Sequence, residues 1–350
     1  MAEDIRKGKR TKAKRSRGAR DKYDLDGLFD RFRLHQAARG YAKATLTQYE
    51  DNYRFFAAYM DERGFARDVR LVTEDIVRDY IIDMQTMHVK FEGHRFKKDE
   101  HMTVGLAAST INTRLKTLRV MFKYLVESGL HRDNPMVNVK NVKETLPQIS
   151  ILNAEELRAL FSQPDQRAFA DFRDYTLMHL LLDAMLRVSE ATKLEKRDVD
   201  FRAGILTVRA EIAKNRKERI IPLSKKTLKL MRELIEENEE DFDSPFVFLS
   251  YYGERLQSNH FRKRLQEFGE AAGIDKRIYP HLMRHTGATI FLENGGDLRH
   301  LQKLLGHSDL RTIIRYTHLS DASLVRQHAQ YTALNNVLSP QQKPRKTLRK

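Results

Sequence analysis

From Leu25 to Leu125 the apolar residues recur at three- and four-residue steps, the period of helices with one buried face. Leu25, Leu28, Phe29 and Phe32 mark a first helix. Leu46, Tyr49, Tyr53, Phe56 and Met60 mark a second, with Thr45 or Thr47 as its cap and Gly64 as its stop. Thr73-Glu74-Asp75 opens a third through Ile76, Tyr80, Ile81 and Met84. Ser109 or Thr110 opens a fourth through Ile111, Leu115, Leu118, Phe122 and Leu125, closed by Gly129. Between the third and fourth, residues 88–105 lack periodicity and read as a loop or insertion. Asn134-Pro135 ends the helical block, and the polar stretch after it, with scattered valines, reads as a linker.

A second pattern begins at Asn153-Ala154-Glu155-Glu156, an N-cap with acidic first-turn residues ahead of Leu157, Leu160 and Phe161. A helix over 169–185 follows. Ile205 to Val208 and Arg219 to Leu223 then alternate as short strands around the polar Lys214-Asn215-Arg216-Lys217, predicting a small antiparallel sheet. Helices return from Lys226, over 258–272, 281–292, 297–304 and 310–316, with a last one over 324–338. The expected fold is mainly α with a small antiparallel β-sheet. The expected layout is a disordered basic arm over 1–22, a helical domain over 23–135, a linker over 136–150, a second domain over 151–338 and a basic tail over 339–350.

Charge changes the picture from fold to partner. The chain carries 64 Lys+Arg against 48 Asp+Glu, a net charge of +16 over 350 residues. A basic surface of this size suits nucleic acid, because each neutralised phosphate releases a condensed counterion. The absence of cysteine fits a reducing compartment and excludes thiolate metal sites and cysteine nucleophiles. No apolar run is long enough for a signal sequence or a membrane span, so the expectation is a cytoplasmic, nucleoid-associated protein with no membrane partner.

Candidate chemistry concentrates in His281-Leu282-Met283-Arg284, Leu305-Gly306-His307 and Tyr316. A tyrosine that attacks a phosphodiester must lose its proton, and the pentavalent phosphorane needs cationic donors already in place. His281 and Arg284, three apart after Pro280, share a helix face. His281 and His285, four apart, could offer two zinc ligands, but Leu282 stands where a metallohydrolase needs glutamate and no third ligand is evident. Neither a metal nor a cofactor is expected.

Upstream, Arg187 lies in Leu186-Arg187-Val188-Ser189-Glu190, and Lys214 precedes Lys217-Glu218-Arg219-Ile220-Ile221-Pro222-Leu223. With these two segments, residues 187–316 resemble the tyrosine recombinases of the phage-integrase superfamily. The block over 24–135 resembles that family's core-binding domain by pattern alone. The resemblance implies an α+β catalytic domain whose site is Arg187, Lys214, His281, Arg284, His307 and the nucleophile Tyr316. Arg187 and Arg284 would clamp the scissile phosphate, with His307 donating a further hydrogen bond. Lys214, in preference to Lys217, would protonate the leaving 5′ oxygen, and His281 would take or relay the tyrosine proton.

The text departs from the family at Ala184-Met185, where Thr-Gly is common, and a bulkier side chain there would alter the local turn. Family membership implies site-specific recombination of double-stranded DNA through a 3′-phosphotyrosine and a Holliday junction, by a homotetramer on two duplexes. Accessory DNA-bending or directionality proteins would be further partners. Two other readings stay open: a type IB topoisomerase, which shares the chemistry, and a DNA-binding regulator without catalysis.

Overall fold

The computed structural model describes residues 22–89, 103–144, 150–306 and 321–332. The basic arm before Lys22, most of the 88–105 segment, the helix expected over 310–316 and the basic tail lie outside the described residues, as do His307 and Tyr316. The chain divides into two compact units, Met1–Pro147 and Gln148–Lys350.

Among the described residues the first unit has four α-helices: α1 (Leu25–Ala38), α2 (Lys43–Glu62), α3 (Glu74–Thr86) and α4 (Ala108–Glu127). Their apolar stripes meet in one core around Phe32, Phe56, Tyr80 and Phe122. Each such side chain removed from water contributes about 1.5–3 kcal/mol. Phe29 stacks on Tyr53 at 4.0 Å between ring centroids. The Tyr53 hydroxyl donates to Asp26 at 2.6 Å, and Arg67 bridges Asp26 and Asp61.

Local caps account for two of the helix starts. Asp24 accepts from the Gly27 amide and Thr73 from the Ile76 amide. The expected caps of α2 and α4 are corrected: these helices begin at Lys43 and Ala108, after Ala42 and Ala107, with no side-chain cap. Burial of their stripes, rather than a capping bond, holds the first turns. The valines of the polar stretch after Pro135 are not idle either. Val139 is buried, Val142 packs on the same core, and Asn112 clamps Val142 through both its amide and its carbonyl at 2.8 and 2.9 Å.

The second unit runs α5 (Ala154–Phe161), α6 (Phe169–Asp183), α7 (Val188–Ala191), β1 (Val199–Asp200), β2 (Ile205–Val208), β3 (Arg219–Pro222), α8 (Lys225–Asp241), α9 (Ser258–Ala271), α10 (Pro280–Glu293), α11 (Leu298–Leu305) and α12 (Asp321–Tyr331). Mainly α with a small antiparallel sheet is therefore correct, with β1 an added third strand. The sheet order is β1-β2-β3, and Leu206 pairs with Val199 on one side and Ile221 on the other. Asn153 and Glu156 form the reciprocal cap that opens α5.

Helix α6 is the central rod. It is buried on most of its circumference, down to the ion pair of Arg173 and Asp174, which Arg264 of α9 joins at 3.1 Å. Helix α10 packs against its C-terminal end at Gly287, where a Cβ would collide with the Leu182 carbonyl. This close approach sets α10 at the turn that leaves α6. Among the described residues no helix is long and apolar enough to cross a membrane.

Candidate active site

The site begins at that turn. Ala184 caps α6, Met185 then adopts φ +52°, and Arg187 is extended as it enters α7. A left-handed residue just past a helix end reverses the chain, and glycine is the usual occupant because a Cβ costs roughly 1 kcal/mol there. Met185 occupies this left-handed position without being glycine. Its side chain is buried against Ala288, Leu292, Leu301 and Leu305, which holds the backbone in this conformation.

The turn offers its carbonyl to Arg284. This side chain, 2% exposed, donates from Nη1 to the Met185 carbonyl at 2.7 Å and from Nη2 to the Leu305 carbonyl at 2.9 Å. Arg284 thus fixes the α6–α7 turn and the end of α11 from one position on α10.

Arg187 pairs with Glu190, three positions on, largely out of solvent. Glu190 is fully buried. Its Oε1 receives Arg187 Nη1 at 3.0 Å and the Lys214 amide at 3.4 Å. Its Oε2 receives Arg219 Nη2 at 2.6 Å and the Arg187 amide at 3.2 Å. Burial pushes this carboxyl up, but the hydrogen bond and charge of Arg219, with Arg187 beyond, outweigh it and hold the group below the ordinary glutamate value.

The loop between β2 and β3 carries Lys214, exposed and tied by its backbone to Glu190. The Lys217 amide instead donates to Asn215 at the hairpin tip. Beside them, α11 ends at Gly306 in the left-handed region, φ +64°. The last three carbonyls of that turn are each met by a side chain from another segment: Leu304 by Arg219 Nε at 3.0 Å, Leu305 by Arg284, and Gly306 by Asn215 Nδ2 at 3.0 Å. Helix ends leave such acceptors without partners inside the helix.

Residues 150–323 match the Phage integrase family. The tyrosine recombinase XerD of Listeria monocytogenes serotype 4b is 32% identical over 299 residues, which span 84% of this chain and 94% of that protein. The chain belongs to the tyrosine recombinases. A second similar protein is the tyrosine recombinase XerC of Chlamydia trachomatis serovar L2, 31% identical over 71% of this chain and 74% of its own length. Among solved structures, the Tn1549 transposon integrase in complex with a circular intermediate DNA aligns at TM-score 0.69 and 18% identity, covering 88% of this chain and 99% of that one. The XerH recombinase bound to a palindromic difH substrate aligns at TM-score 0.64 and 19% identity, over 90% and 85%. These two likenesses speak for the fold. The recombinase is accordingly an enzyme of site-specific DNA recombination.

Four of the six site residues anticipated for this recombinase lie among the described residues, and the fold gathers them. His281 sits on the first turn of α10. Its imidazole is held below its ordinary value, first by partial burial and then by the positive charges of Arg284, Arg187, Arg262 and Lys214. A neutral ring at neutral pH is a proton acceptor. Glu190, Arg219 and Asn215 bond to these site residues or to the segments that carry them, and the sequence reading gave none of the three a role in the chemistry. The available signals were the three-residue step from Arg187 to Glu190 and the arginine directly ahead of Ile220-Ile221-Pro222.

Proposed function

We propose that this recombinase cuts and rejoins duplex DNA at specific sites through a 3′-phosphotyrosine on Tyr316, and that a homotetramer exchanges strands between two duplexes by way of a Holliday junction. The observation that carries the reading is the gathering of Arg187 and the Lys214 backbone on one buried carboxylate, with Arg284 fixed beside them and a neutral His281 within reach of their charge. A buried carboxylate that orients cations without neutralising all of them leaves a site prepared for a phosphate. The Tn1549 integrase and XerH, both solved with DNA, support DNA as the partner.

In this reading the Tyr316 oxygen attacks phosphorus while His281 takes its proton. Arg187, Arg284 and His307 hold the nonbridging oxygens as charge builds on them. Lys214 gives a proton to the departing 5′ oxygen, which leaves as a hydroxyl. That hydroxyl then attacks the phosphotyrosine formed on the partner duplex, giving its proton to the lysine there, while the released phenolate takes its proton back from the histidine. The phosphotyrosine conserves the energy of the broken bond, so neither ATP nor metal enters the cycle. The four-helix unit serves as the core-binding domain, and the basic arm tracks phosphates.

Tyr316→Phe is expected to bind a duplex like the parent and to form no covalent adduct on a suicide substrate; an adduct on that variant would overturn the assignment. Lys214→Ala is expected to recover cleavage on a 5′-bridging phosphorothiolate, whose sulfur leaves without an acid. Exchange between two sites, in place of simple supercoil relaxation, separates recombination from topoisomerase action.

A further inference from the structure

Arg219 has no part in the chemistry above, yet it joins three pieces of the site. It is 8% exposed in its side chain, donates from Nη2 to Glu190 at 2.6 Å and from Nε to the Leu304 carbonyl at 3.0 Å. Its shaft lies against Gly306, where a Cβ would come within 3.2 Å of Arg219 Cδ and 3.3 Å of Nε. Nη1 is buried without a hydrogen-bond partner among the described residues, and it too faces Gly306. Four positions before it on the same hairpin, Asn215 reaches the Gly306 carbonyl at 3.0 Å.

We propose that Arg219 is a positioning residue that locks the Lys214 hairpin and the end of α11 into one body, so that the acid of the leaving group and the histidine after Gly306 approach a phosphate in fixed relation. The argument is one of geometry. Glu190 holds the Lys214 backbone on one oxygen and Arg219 on the other. Arg219 holds α11 through the carbonyl of Leu304, two residues before Gly306 and three before His307. A guanidinium can make both bonds because its N–H groups diverge in a rigid plane, whereas a lysine ammonium is a single point that can satisfy Glu190 or Leu304 but not keep the same span. The lack of a side chain at Gly306 leaves the room that Arg219 occupies. The proposal rests on the reading of Lys214 and His307 as working residues.

The test is Arg219→Lys in the full chain, which keeps a charge opposite Glu190, with Arg219→Met as a second variant. Hydrogen exchange of the DNA-free protein reads the positioning without any chemistry. Peptides over the 209–218 hairpin and over the end of α11 should exchange about tenfold faster, the worth of one lost charge-assisted hydrogen bond, while α10 peptides stay unchanged. Unchanged hairpin and α11 peptides would overturn the proposal, as would faster exchange throughout the unit, the mark of a general stability role.

Single-turnover cleavage of a suicide duplex should fall on the order of 100-fold, since a small misplacement of catalytic groups costs that much, with duplex affinity retained. A 5′-bridging phosphorothiolate should restore part of the loss, the part that passes through Lys214. Full restoration would confine Arg219 to the hairpin, no restoration would confine it to α11, and either outcome refutes the coupling. If the parent itself forms no Tyr316 adduct, the catalytic reading fails, and the exchange result still decides the role of Arg219.

Discussion

Met185 should invert the usual order of alanine and glycine. The residue holds φ +52° with its side chain buried among Ala288, Leu292, Leu301 and Leu305. Met185→Ala and Met185→Gly both delete that packing, and each should fall about 2–4 kcal/mol below the parent, the range for emptying a buried methionine site. They differ in backbone. An alanine Cβ still strains against the next carbonyl in the left-handed region at roughly 1 kcal/mol, and glycine does not. In a helix or strand glycine is the weaker of the two by about 0.5–1 kcal/mol. Here it should be the stronger by about 1 kcal/mol.

Urea unfolding of the full chain by far-UV ellipticity measures the difference. Hydrogen exchange of α6 and α10 amides confirms that the second unit is the one affected. Both variants keep the Met185 carbonyl that receives Arg284, so they separate stability from the clamp. An alanine variant as stable as the glycine one, or more so, would refute the argument that burial holds a strained turn.

Glu190→Gln leaves Arg187 and Arg219 facing a neutral group and should cost about 3 kcal/mol, since removing one partner strands a buried charge. Because the Glu190 carboxyl sits below its ordinary value of 4.5, that contribution is complete above this pH and fades as acid protonates the folded protein. Denaturation at a series of pH values should therefore show parent and variant converging at low pH, and a constant gap would reject the charge account. His281 should titrate below 6.5 in the free protein by NMR and move upward when a short duplex places phosphate among Arg284, Arg187 and Lys214. Its depressed value also means that the unfolded chain binds the extra proton as pH falls through 6.5, so the ring lowers stability on the acid side and not above it. A duplex that leaves the titration unmoved would place the phosphate elsewhere.

What the sequence made legible is what local physics controls. Thr73, the Asn153 and Glu156 pair and Asp297 each bond amides within a few residues, so the starts of α3, α5 and α11 could be read from neighbouring letters. Ala42 and Ala107 make no such bond, and the starts of α2 and α4 were accordingly misplaced. The two-residue β1 is too short to show alternation. Arg187, Lys214, His281 and Arg284 were readable through the resemblance, each in a motif of its own. Glu190 was not, because its burial depends on Arg219 and Lys214, 29 and 24 positions away. Nothing in Leu186-Arg187-Val188-Ser189-Glu190 tells a buried carboxylate from a surface one.

The three carbonyls at the end of α11 find their partners across 85, 21 and 91 positions of chain, and the Met185 carbonyl finds Arg284 across 99. Contacts of such separation form late, because the loops they close must be ordered before the bonds repay them. This network of contacts is therefore expected among the last things the second unit completes. A nascent or half-melted chain, still basic and able to cling to DNA, has its arginines and lysine scattered on separate segments. In the proposed reaction, strand scission is then open only to a molecule whose second unit has already folded.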